Sequence, residues 1–168
     1  MKRILSVLLI LMTVSLAGCA DQQDVNLPKT LKFYYCNTDI SYNEPDGLIS
    51  AEIRERQGNA NTMEAIVTEY LKGPSNDKYY SPFPDGTALT ELNMGDDVLY
   101  ITLNKNFSDL TGIDLTLACA CMAKTMREIA DVDTIVIDVA NGIYGKNLKV
   151  TIEKDGLITA DRALYADG

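Results

Sequence analysis

Two periodicities alternate along the chain and mark out its elements. From Met63 the apolar residues Met63, Ile66, Val67, Tyr70 and Leu71 recur at helical spacing, which places them on one face of a helix. Asn61, followed three positions later by Glu64, has the character of a capping box at its start. Leu115, Ala118, Cys119, Met122, Met126 and Ile129 form a second stripe, with Asp114 placed to cap it. Leu117 and Cys121 widen that stripe, so the spacing predicts a helix from Leu115 to about Ala130 covered on more than one side. Around these helices the pattern shortens to runs that suit strands: Leu31–Cys36, Leu48–Glu55, Thr87–Leu92, Val98–Leu103, Thr134–Val139 and Leu148–Ile152. Pro45-Asp46-Gly47 and Asn93-Met94-Gly95-Asp96-Asp97 predict hairpins between the first and second pairs of strands. This order predicts an α+β fold: one small domain, a mixed β-sheet with two helices packed on one face.

The densest punctuation lies between Leu71 and Thr87. Gly73 and Pro74 stop the first helix, because glycine accepts the left-handed turn and proline cannot continue the helix. Ser81-Pro82 and Phe83-Pro84 hold the next residues extended, and Asp85-Gly86 turns the chain into a strand. The stretch reads as a stiff crossing between a helix and a strand. It also carries a concentrated group of rings, so Tyr79, Tyr80, Phe83 and Pro84 are the candidates for an interaction surface. Tyr34, Tyr35 and Tyr42 could line a binding face, but rings buried with hydroxyls wet is the expected role.

The N-terminus follows another logic. Met1-Lys2-Arg3 is basic, and Ile4 to Leu16 is apolar but too short for a stable membrane span. Leu16-Ala17-Gly18-Cys19 resembles a bacterial lipobox. The resemblance implies recognition of Leu16, Ala17 and Gly18 by a signal peptidase and diacylglycerol on the thiol of Cys19. The expected organisation is a signal peptide over 1–18, a lipidated cysteine and polar tether over 19–30, a folded domain over 31–155 and a tail over 156–168. Two or more acyl chains hold a protein on a bilayer where one does not.

Composition narrows the chemistry. Hydrophobic residues make up 46% of the 168, enough for a true core. Loss of Lys2 and Arg3 with the leader deepens the net charge from −9 to −11, which disfavours nucleic acid and anionic headgroups as partners of the protein surface. Histidine is absent, which removes the usual general base and most zinc and haem ligand sets. Asp96-Asp97 lacks calcium-loop spacing. No catalytic set, metal site or cofactor is expected. Beyond Cys19 stand Cys36, Cys119 and Cys121. Cys119 and Cys121 point in different directions from one helix, a poor geometry for a mutual disulfide. Buried free thiols are expected, with a Cys36 bridge to the second helix as the alternative and a disulfide-linked dimer as a third outcome.

Several of these pieces also carry a family resemblance. Leu71-x-Gly73-Pro74, Pro82-x-Pro84-x-Gly86-Thr87, the strand Val98–Leu103 leading to Phe107, Lys124-Thr125-Met126, and Ile135–Val139 followed by Asn141-Gly142 together resemble the GerMN domain. This is the module of GerM-type sporulation and spore-germination proteins and of many bacterial lipoproteins. The similarity runs from about Leu31 to about Ile152, with one copy of the module. The resemblance implies a small fold shared with ring-building modules and a non-catalytic interaction domain outside the cytoplasm. The expected function is that of a membrane-anchored lipoprotein that binds or scaffolds envelope proteins. A receptor for a small ligand or glycan is the second reading. A cell-wall hydrolase using carboxylates such as Asp85 and Glu91 ranks last.

Overall fold

The computed structural model describes residues 27–39, 47–58, 60–139, 146–156 and 158–164. Leu16, Ala17, Gly18, Cys19, Tyr42, Pro45, Asp46, Asn141 and Gly142 lie outside these residues. In chain order the elements are β1 (Thr30–Asn37), β2 (Ile49–Glu55), α1 (Met63–Leu71), β3 (Tyr79–Tyr80), β4 (Leu89–Met94) and β5 (Val98–Leu103). A 3-10 turn (Lys105–Asp109), α2 (Gly112–Ala130), β6 (Thr134–Val139), β7 (Lys146–Ile152) and β8 (Ile158–Leu164) complete the order. The α+β class and the two helices are as expected. The strands, however, divide between a three-stranded sheet, β2-β1-β3, and a five-stranded sheet, β4-β5-β6-β7-β8. The segment after Asp155-Gly156 supplies β8, which pairs antiparallel with β7.

Both expected hairpins are present, since β1 pairs antiparallel with β2 and β4 with β5. β5 and β6 run parallel. Parallel neighbours need a long crossover rather than a hairpin, and the 3-10 turn with α2 provides it. One core joins the two sheets. Leu31, Phe33 and Tyr35 of β1 share it with Ile66 and Tyr70 of α1, Leu99 and Ile101 of β5, Met122 and Met126 of α2, and Ile135 and Ile137 of β6. Burial of each such side chain contributes about 1.5–3 kcal/mol before entropy is counted.

The helix starts differ by a residue or more from the expected ones, while α2 ends at Ala130 as expected. The N-cap of α1 is Thr62, whose Oγ1 accepts from the Ala65 amide at 3.2 Å. Asn61 instead accepts from Arg56 through its side chain. α2 begins at Gly112, so Asp114 sits in its first turn rather than at its cap. A carboxylate there still complements the helix dipole. At the other end Asp131 adopts the left-handed conformation, φ 52°, and its amide donates to the Arg127 carbonyl. Arg127 donates onward to the carbonyls of Asp133 and Ile152 at 3.2 and 3.1 Å. One guanidinium thereby ties the end of α2 to the start of β6 and the end of β7.

Candidate interaction surface

Gly73 stops α1 as expected, at φ 91°, with its amide on the Tyr70 carbonyl at 3.1 Å. The chain then forms β3, where Tyr80 pairs with Cys36 and Tyr79 with Asn37. Pro84 to Thr87 make a tight turn: the Thr87 amide and hydroxyl both donate to the Pro84 carbonyl, at 3.1 and 2.8 Å. Asn104 and Asn106 hold this turn from outside, donating to the carbonyls of Gly86 and Asp85 at 2.8 and 3.0 Å. Gly86 has φ 75°, and a Cβ there would lie 2.8 Å from the Asn106 amide nitrogen. The positive φ calls for glycine, and a Cβ would also push the Asn106 amide from its place.

The four candidate surface residues divide by environment. Tyr80 is exposed, at 45%. Tyr79 and Pro84 are half-buried. Phe83 is in the core, 6% exposed, with its ring centroid 5.3 Å from Tyr70 and 6.4 Å from Phe107. Phe83 thus anchors the crossing while Tyr80 faces outward. A cleft of about 250 Å³ opens beside them, lined by Cys36, Tyr80, Pro82, Pro84, Asp114 and Leu117 among others.

A larger groove of about 640 Å³ lies over β1, β2 and α1, with Leu31, Phe33, Arg54, Ala65, Glu69 and Lys72 among its walls. Arg54 lines it, and Glu52, two positions before it on β2, lies on the same face of the strand. Arg54 lies 5.1 Å from the Phe33 ring centre and 5.8 Å from that of Tyr35, a geometry that favours the cation. It pairs with the buried Glu52 and donates to the Gly73 carbonyl at 2.8 Å. Glu52 also accepts from the Ser75 amide and hydroxyl, at 3.0 and 2.6 Å, and from Asn76. Burial pushes the Glu52 carboxyl up, but the hydrogen bonds from Ser75 and Arg54 together outweigh it and leave it below the ordinary carboxylate value. This node locks β2 to the end of α1. Sequence reading missed it, although Glu52-x-Arg54 on a strand was the available signal.

α2 meets β1 in a series of paired positions. Lys32 pairs with Glu128 at 2.9 Å, and the Tyr34 amide donates to Thr125 Oγ1 at 2.9 Å. Cys36, Cys119 and Cys121 are free and buried. Burial pushes the Cys119 thiol up to about 12.

Other side chains have structural work. Asp97 accepts the Asp133 amide on its carboxylate and the Thr134 amide on its carbonyl, both at 3.1 Å, which joins the β4–β5 turn to the start of β6. Asp85 and Glu91 are exposed. Among the described residues no three acidic or cysteine side chains gather as metal ligands. No helix among the described residues is long and apolar enough to cross a membrane.

Comparison with known proteins bears on this architecture. The family model "Germane: Sporulation and spore germination" matches residues 32–142. Among solved structures, the first GerMN domain of the sporulation protein GerM from Bacillus subtilis superposes with a TM-score of 0.51 at 11% identity, covering 67% of this chain and 84% of that domain. The tandem GerMN domains of the same protein give 0.52 at 16% identity. That match covers 74% of this chain and 43% of the tandem structure. At such identities the likeness is one of fold. No curated protein matches the chain significantly. The family match spans β1 through β6, with both sheets represented and both helices included, so the chain belongs to the Germane family of sporulation and spore germination.

Proposed function

We propose that this chain is a non-catalytic lipoprotein, held by a lipid on Cys19 at the outer face of the cell membrane, whose GerMN domain binds envelope proteins in sporulation or germination. The match over residues 32–142 carries the reading, and Leu16-Ala17-Gly18-Cys19 supports the anchor. The contact surface would centre on Tyr80 and Pro84 at the rim of the cleft, with Phe83 beneath them as a buried brace. An exposed aromatic on a braced, proline-stiffened segment loses little conformational entropy on binding.

The groove above Phe33 and Arg54 favours a second reading, a receptor for a small ligand or glycan. It combines an apolar floor with oriented charges, the usual make-up of a ligand site.

Cross-linking in intact cells, followed by isolation of the protein from membranes and mass spectrometry, separates the two. Recurrent envelope proteins joined at Tyr80 or Pro84 are the expected result. Recovery of a bound glycan or small molecule with no protein partner would replace it by the receptor reading. Cys19→Ala should release the protein from membranes, and retention of that variant on them would refute the anchor.

A further inference from the structure

The sheet edges of the molecule differ in how they are protected. β3 is two residues long, and beyond it Thr125 and Tyr70 bond the amide and carbonyl of Tyr34 on that side of β1. β4, at one edge of the five-stranded sheet, breaks register between Leu89 and Glu91 and exposes Glu91. β8, at the other, carries Asp161-Arg162 at its middle. Short strands, bulges and charges of this kind deter strand addition. β2 is the remaining edge among the described residues. It pairs with β1 in unbroken register from Ile49 to Glu55, and its Ile53 is 69% exposed.

Two hydrogen bonds fix which backbone groups of β2 face outward. The Asn37 amide donates to the Leu48 carbonyl at 3.0 Å, and the Arg56 amide to the Lys29 carbonyl at 2.8 Å. Bonded and non-bonded pairs alternate along an antiparallel ladder, so the even-numbered residues from Leu48 to Arg56 turn their backbone groups toward β1. Ile49, Ala51 and Ile53 turn theirs to the open edge, where the Tyr79 hydroxyl reaches the Ala51 carbonyl at 3.5 Å. The side chains of these three residues share one face of the sheet with their register partners Cys36, Tyr34 and Lys32. An apolar row on an open ladder is the arrangement to which another strand adds.

We infer that β2 pairs with β2 of a second copy of this chain, antiparallel about a two-fold axis through Ala51. In this register Ile49 faces Ile53 of the second copy, Ala51 faces Ala51, and Ile53 faces Ile49, so the apolar row is matched to itself. Each of these three facing pairs makes two backbone bonds. On the other face Ser50 meets Glu52, and no like charges are opposed. Other registers lose this match. An axis through Glu52 sets Glu52 against Glu52 and Ile49 against Glu55, and one through Ile53 sets Ala51 against Glu55. An axis through Ser50 sets Ile53 against Gly47. The helices leave room for the seam. α2 lies over β1, through Lys32–Glu128 and Tyr34–Thr125, so three strand spacings, about 14 Å, separate the two α2 helices, against about 8–10 Å for helices in contact. The joined sheet runs β3-β1-β2-β2-β1-β3 and carries a Tyr80 at each end, away from the seam.

The test uses the full chain in mild detergent. Sedimentation equilibrium should show a reversible monomer–dimer equilibrium. Ile53→Pro removes an outward amide and no bond to β1, so it should leave monomer with an unchanged circular dichroism spectrum. Ile53→Lys, a side-chain change at an exposed position, should shift the equilibrium the same way. Oxidation with copper–phenanthroline then reads the register. Ala51→Cys should form a disulfide-linked dimer by itself, because facing Cα atoms of a bonded pair lie about 5.5 Å apart. Ile49→Cys and Ile53→Cys should each stay unlinked alone, their like positions being four residues or about 13 Å apart along the strand, and should link when the two chains are mixed. A wild-type chain that is monomeric throughout, a dimer that both substitutions at position 53 leave intact, or linkage by Ile53→Cys alone without Ala51→Cys would each overturn the inference.

Discussion

Glu52 and Asp131 show how single residues set local stability in opposite directions. Glu52 is buried and ionised, held by Arg54, Ser75 and Asn76. Glu52→Gln removes the charge and leaves Arg54 without its buried partner, so we expect a loss of about 2–3 kcal/mol in chemical denaturation near neutral pH. The pH dependence follows from the lowered carboxyl. Its contribution is complete above the unfolded value of about 4.3 and is lost as pH falls through the lower folded value. The gap between wild type and variant should therefore narrow on acidification, and a constant gap down to strongly acid pH would contradict the assignment. Asp131 is the reverse case. It is the one non-glycine residue with positive φ among the described residues, and its negative charge sits at the C-terminus of α2. Asp131→Gly should stabilise by about 0.5–1 kcal/mol in the same assay, because it relieves both penalties.

At the scale of elements, the notable device is a helix standing where a strand would continue. β3 pairs with only Cys36 and Asn37 of β1. Farther along, the Tyr34 amide donates to Thr125 Oγ1 and the Tyr34 carbonyl accepts from the Tyr70 hydroxyl at 2.7 Å. Side chains of both helices thus satisfy a strand edge that would otherwise invite pairing with another chain. Thr125→Val keeps the shape and removes the acceptor. It should cost about 1–3 kcal/mol and speed hydrogen exchange at the Tyr34 amide, and unchanged exchange there would refute this role. The elements themselves were readable because each has a clean period and strong punctuation, as at Gly73-Pro74 and Asp85-Gly86. The replacement of a strand by Thr125 was not, since a threonine inside a helical stripe carries no mark of its distant partner. For the same reason Phe83 looked like a surface ring beside Tyr79 and Tyr80. Only the packing of Tyr70 and Phe107 distinguishes it. The division into two sheets was equally hidden, because period-2 patterns identify strands and not their neighbours.

For the molecule as far as its described residues go, the two helices and two sheets share one core, while Ile53, Tyr80, Tyr100 and Ile113 remain exposed around it. Such scattered apolar residues are ordinary on a protein surface. Tyr80 stands apart because it borders a cleft on a rigid proline-bearing segment. The acidic sequence, pI about 4.4, gives the surface no electrostatic attraction to anionic lipid, so the proposed membrane attachment rests on the proposed lipid at Cys19. The central claim is that the domain meets a protein partner through the Tyr80 rim. The most direct measurement places a photo-cross-linking residue at position 80, and in a parallel strain at the exposed Glu91 of β4, in living cells. The account predicts a discrete adduct with one or a few envelope proteins from position 80 and none of these from position 91. Equal labelling from both positions, or no protein adduct from position 80, would contradict it.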